Sequence, residues 1–174
     1  GPARLTTNYT LQHMFFINRA ARRDRRKIME RTLKSSGAIY SRVSAVEAET
    51  IDVDNTLRSQ NQAPSPHFEK VNLKTKRFII AVYKSHVSVL AHIAQLNASE
   101  SHIYAILEDD VMLAPHWKSA LDKTLALLPS DWSLLRCNVR YPNRQMQIAP
   151  GVFSENKTLR HFHGTLFLVS TPLR

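Results

Sequence analysis

In the stretch "YAILEDDVML", Tyr104–Leu113, three consecutive carboxylates, Glu108, Asp109 and Asp110, stand between two apolar runs. A solvated turn would not need the apolar flanks, and a buried strand does not end in three acids without a positive partner. Extended backbone sends alternate side chains to opposite faces, so Glu108 and Asp110 are expected to share one face and Asp109 the other. Two carboxylates side by side repel unless a cation or a shared proton relieves them. Hard oxygen pairs of this kind suit Mg²⁺ or Mn²⁺, with a substrate phosphate completing the shell. The plainer reading is a strand running into a polar loop, with Asp109 or Asp110 capping the next helix. The apolar strand ahead of the acids tilts the reading toward a metal.

A second stretch, "RAARRDRRK", Arg19–Lys27, carries the opposite charge. Cations in a helix's first turn oppose its dipole and cost roughly 0.3–1 kcal/mol each when exposed. An anion bound at that end reverses the sign, because free N–H groups and guanidinium groups converge on it, and a diphosphate is the natural candidate. For any single arginine a solvated basic face is the commoner explanation. The chain as a whole has 24 Lys and Arg against 14 Asp and Glu, a net charge of +10, which points to an anionic partner. Nucleic acid is the poorer choice, since neither aromatic interleaving nor zinc-finger spacing accompanies the basic run.

The remaining candidates carry weaker signals. Ser85 and His86 stand side by side in an apolar stripe, where a histidine is more often a satisfied core residue than a catalyst. His161 and His163 share a strand face in "HFHG" and could add a metal ligand or lie on a surface strand. Cys137 is the sole cysteine, which excludes an intramolecular disulfide and suits simple packing. Beyond Gly1 the only glycines are Gly37, Gly151 and Gly164, so no glycine-rich phosphate loop and no GxSxG elbow is present.

These residues need elements to position them, and the chain supplies an alternating series. "LQHMFFIN", Leu11–Asn18, reads as a buried strand. A helix follows directly, with Asn18 as its cap, Ala21, Ile28, Met29 and Leu33 as its apolar stripe, and Gly37 as its end. "AIYSRVSAV" alternates as a second strand. Glu47–Asn72, polar and containing Pro64 and Pro66, reads as a long loop or lid. From Lys74 a long helix is predicted on Ile79, Val82, His86, Val89, Ile93 and Leu96. "HIYAIL" is the strand that delivers the acids. Pro115, Trp117, Leu121, Leu125 and Leu128 give a further helix closed by Pro129. "DWSLLRCNV" and "HGTLFLVS" read as later strands. The alternation predicts an α/β fold with a mostly parallel central sheet flanked by helices. Ligands of such sheets gather at the carboxyl ends of strands, where Asn18 and the acidic triplet both fall.

Taken together, "MFFINRAARRDRRKIMERTL" with "YSRVSAV", "AVYKSHVSVLAHI" and "YAILEDDVML" resemble glycosyltransferase family 25, the lipooligosaccharide and collagen galactosyltransferase group. A looser match joins "WSLLRCNV" to "HGTLFLVS", so the likeness spans Met14–Ser170. It implies a GT-A-like nucleotide-diphosphate-sugar fold and inverting transfer of a sugar, commonly galactose, from a UDP-sugar to a hydroxyl of a glycan or glycoprotein, assisted by Mn²⁺ or Mg²⁺. A divergent, non-catalytic member that binds a glycan or protein is the alternative. Carried over, Glu108, Asp109 and Asp110 would hold the metal. Asn18, Asp24 and Arg26 would lie near the nucleotide, and Ser85 and His86 would line the donor pocket. Asp131 and Glu155 are available as general base, although nothing singles them out. The chain departs from the family's pattern in reading Asn18-Arg19-Ala20 after its first strand and "AVYK" before Ser85-His86.

With 174 residues the chain is long enough for one domain with a substantial core. Gly1-Pro2 has the form of a tag scar, so residues 1–10 read as tag remnant and tail. Residues 11–174 read as one domain whose C-terminus falls short of the family's usual end. No apolar run approaches the roughly 20 residues a membrane span needs. Sequons at Asn8, Asn97 and Asn156 lean toward the lumen of the endoplasmic reticulum or Golgi, or secretion, in a eukaryote. A bacterial source would place the protein in the cytoplasm.

Overall fold

The computed structural model describes residues 9–59, 64–96, 99, 101–128, 132–137, 146–149, 152–154 and 166–170. Its centre is strand β1, Thr10–Asn18, whose last five residues are all buried. They are buried because both faces of the strand are covered. Met14 and Phe16 pack with Met29 and Leu33 of helix α1 (Arg23–Ser35), while Phe15 and Ile17 pack with Val89 and Ile93 of helix α4 (Leu73–Ala94). A run of apolar residues in place of alternation is the signature of such a strand.

The sheet has five strands in the order β2-β1-β3-β7-β4. β2 (Tyr40–Ser44) and β3 (His102–Glu108) both pair parallel with β1. β7 (Leu166–Ser170) runs antiparallel to both β3 and β4 (Leu134–Arg136). The sheet is therefore mixed, with its parallel part confined to β2, β1 and β3. Helix α5 (Trp117–Leu125) lies on the α1 side, with Leu125 in the same cluster as Phe16 and Leu107. A separate antiparallel pair, β5 (Met146–Ala149) and β6 (Val152–Ser154), is too short to leave a periodic signal in the sequence. No helix among the described residues is long and apolar enough to cross a membrane.

Several sequence expectations are corrected. Helix α1 begins at Arg23, not after Asn18; Arg19–Arg22 form a turn closed by the Arg22 N–H on the Arg19 carbonyl. Ala21 thus precedes the helix, and Ile28 is 59% exposed, leaving Met29 and Leu33 as the buried stripe. The end falls as expected. Gly37 adopts φ +66°, its N–H reaches the Lys34 carbonyl, and the Ala38 N–H reaches that of Leu33.

Over its described residues, 47–59 and 64–72, the Glu47–Asn72 segment is not an open loop. It holds a 3₁₀ turn (Ala48–Thr50), α2 (Val53–Ser59) and α3 (Pro66–Lys70), and buries Ile51 and Val53 against Ile80 and Ala81 of α4. Its polar residues include helix caps: Asp52, Ser65 and Asn72 accept from the N–H groups of Asn55, Phe68 and Thr75. In the first half of α4 it is thus Ile80 and Ala81 that are buried, against this segment, while Ile79 is 36% exposed. Pro129 lies outside the described residues.

Candidate functional site

β1 and β3 run parallel with Ile17 opposite Glu108, which brings their carboxyl ends to one place. Asn18 ends β1 and is 1% exposed. Its amide donates to Asp109 Oδ2 at 2.7 Å and to the Arg22 carbonyl at 3.1 Å. Its Oδ1 accepts from Arg42 Nε at 3.0 Å, and its backbone carbonyl accepts from Arg42 Nη2 at 3.2 Å. Asn18 is therefore a junction between the acidic turn and β2, and not a helix cap.

The acids do not follow strand parity through to Asp110. β3 ends at Glu108, and Asp109 and Asp110 form a turn. One guanidinium nitrogen, Arg25 Nη1, lies 3.0 Å from Asp109 Oδ1 and 3.3 Å from Asp110 Oδ2. The two aspartates thus share a cation, while Glu108 turns to the opposite face, where its Oε1 lies 3.2 Å from His86 Nε2. The expected Glu108–Asp110 pairing is replaced by Asp109–Asp110, because the chain leaves the extended conformation one residue too early for parity to hold.

The other candidates separate from this centre. Buried Ser85 donates to the Ala81 carbonyl at 2.7 Å and accepts from the Val46 N–H at 2.9 Å, tying α4 to the segment after β2. Asp24 pairs with Arg22 at 2.7 Å on the surface, and that hydrogen-bonded guanidinium holds its carboxyl well below the usual carboxylate range. Arg26 pairs with Glu30 at 2.8 Å and, with Ala20, Arg23, Lys27 and Arg42, lines an open groove of about 450 Å³. Asp131, Glu155, His161 and His163 lie outside the described residues.

Arg25 and Arg42 escape sequence reasoning. Arg25 is one of several arginines in a run, and nothing local marks it as the one that crosses to β3. Arg42 sits on an alternating strand, where an outward charge is the ordinary expectation. Glu47 is a further omission: it accepts from Arg19 Nε at 2.8 Å and from the Ala20 N–H at 3.2 Å, fastening the turn after β1.

Asp109 and Asp110 are oxygen donors of the hardness that Mg²⁺ and Mn²⁺ prefer, and a cationic group already lies between them. That donor set fits a small divalent ion whose shell is completed by phosphate and water. Among the described residues no group of three or more His, Cys, Asp and Glu side chains converges as a self-sufficient metal cage.

An α/β sheet with a polar junction at the carboxyl ends of its parallel strands has the form of a ligand-binding domain. The model of glycosyltransferase family 25, described as that of an LPS biosynthesis protein, matches residues 11–157. The chain belongs to glycosyltransferase family 25. No curated protein and no solved structure matches it.

Proposed function

We propose that the protein is a hexosyltransferase domain of GT-A type that takes a UDP-sugar, UDP-galactose first among them, and transfers the sugar with inversion to a hydroxyl of a glycan or glycoprotein. The observation that carries this reading is the meeting of Asn18, Arg25, Asp109 and Asp110 at the carboxyl ends of β1 and β3, in a chain of this family. Beside them lies a groove rimmed by Arg23, Arg26, Lys27 and Arg42.

In the transfer, the acceptor oxygen gives up its proton to a general base and bonds to the anomeric carbon as the bond from that carbon to the diphosphate oxygen breaks. Negative charge grows on the leaving diphosphate. The groove's guanidinium and ammonium groups are aimed where that charge develops and stabilise it more than they stabilise the ground state. Arg42 is held by Asn18 on two sides, so little reorganisation is needed as the charge appears. Asp109 and Asp110 would hold Mn²⁺ or Mg²⁺, which when bound neutralises diphosphate charge. Glu108, the last residue of β3, lies 3.2 Å from His86 Nε2 through its Oε1, which ties the strand end before the turn to α4. The lumen of the secretory pathway, or the cytoplasm of a bacterium, is the setting we assign to this activity.

Calorimetric titration with UDP, with and without Mn²⁺, tests the reading. Asp110→Ala is the variant of choice, because Asp110 is 44% exposed and its loss leaves the Asn18–Asp109 contact intact. Saturable, Mn²⁺-dependent binding that disappears in the variant is expected. Failure of the wild-type protein to bind UDP in either condition would overturn the donor assignment and favour a non-catalytic glycan- or protein-binding module.

A further inference from the structure

The basic run after β1 distributes its charges unevenly. Arg19 goes to Glu47, Arg22 to Asp24 and Arg26 to Glu30. Arg25 instead crosses from the first turn of α1 to the acidic turn after β3 and places one nitrogen against both aspartates. We propose that Arg25 is the resident counter-ion of the Asp109–Asp110 pair, and that a divalent ion must displace it to bind. The inference rests on the metal-binding reading of that turn.

A single cationic centre between oxygens of two different residues is what a metal ion would also offer. Without a cation, adjacent carboxylates at a strand end repel and disfavour the folded turn. Arg25 supplies that cation from within the chain. It carries one charge on a flexible stem, whereas Mg²⁺ or Mn²⁺ carries two and binds oxygen at roughly 2.0–2.2 Å. The ion can therefore win, but its apparent affinity is reduced by the fraction of time the aspartates are free. Once released, Arg25 is a freed cation on the first turn of α1, still within reach of the acidic turn where a phosphate completing the ion's shell would lie. Metal entry and diphosphate binding then favour each other, and by linkage the effect is reciprocal.

The test is Mn²⁺ binding without nucleotide, read from the electron paramagnetic resonance signal of the free ion. Wild type, Arg25→Gln, Arg22→Gln and Asp109→Asn are compared. Arg22 feels the charges of Asp109 and Asp110 without pairing with either, so it controls for loss of a nearby positive charge. Arg25→Gln is expected to tighten Mn²⁺ about tenfold, and Arg22→Gln no more than about twofold. Equal affinity in wild type and Arg25→Gln, with binding lost in Asp109→Asn, would leave the metal site standing and overturn the role of Arg25. Absence of Mn²⁺ binding in every protein would overturn both. A second measurement needs only the wild-type chain. Saturating Mg²⁺ should shift the Arg25 side-chain ¹⁵N–¹H resonances and speed their exchange with solvent. A merely structural ion pair would leave them unmoved, which would also overturn the proposal.

Discussion

Every polar atom of the Asn18 side chain has a partner: its amide serves Asp109 and Arg22, and its carbonyl oxygen serves Arg42. Replacing a buried hub of this kind strands several groups at once. Asn18→Ala should therefore cost about 2–3 kcal/mol of stability, measured as a lowered urea midpoint at unchanged slope. A loss below about 0.5 kcal/mol would show that water replaces the amide freely. Asp24 makes the contrast. Its pair with Arg22 is exposed and screened, so Asp24→Asn should leave the urea midpoint essentially unchanged in the same titration. Sequence alone ranks these two residues together as nucleotide-side candidates. It cannot separate them, because the difference arises from Asp109, 91 residues away.

Element by element, legibility follows the range of the forces involved. The buried runs of β1 and β3 and the glycine end of α1 are local signals, and all of them survive. The start of α1 does not, since the turn before it is held by Glu47 and Asn18 from other elements. The segment after β2 resembles a lid because its polar residues are caps and its apolar residues are few. Only its packing on α4 reveals that Ile51 and Val53 are core. Two predictions belong at this scale. A Cβ on Gly37 would meet only Lys118 Nζ at 3.9 Å, so Gly37→Ala costs conformational strain and no clash, about 1 kcal/mol by urea denaturation. His13 of β1 titrates below its ordinary 6.5, held down by burial and by the charge of His92. The unfolded chain therefore takes up this proton first. Stability from this group is complete above about pH 6.5 and declines as pH falls below it. His13→Gln should remove part of the midpoint difference between pH 7.5 and 5.5; an identical difference in both proteins would rule His13 out as the source.

For the whole molecule, the α/β class and the family were legible in ordered blocks of sequence. The antiparallel β7 inside the sheet was not, because strand direction leaves no trace in a short apolar run. The net charge of +10 is partly focused, since Arg23, Arg26, Lys27 and Arg42 rim one groove with Glu30 as the lone acid. UDP affinity should therefore fall several-fold between 50 and 500 mM NaCl as screening shortens to a few ångströms; a salt-independent constant would place the nucleotide elsewhere. The pairing of β1 with β3 has a kinetic consequence too. Closing so long a stretch of chain is entropically slow, and the turn carrying Asp109 cannot meet Asn18 and Arg25 until that closure is made. Whatever binds there recognises only molecules in which β1 and β3 have already paired. A ligand held at one hundred times its dissociation constant would add about 2.7 kcal/mol to the native state, so in the cell the abundance of this protein would follow the supply of its own ligand.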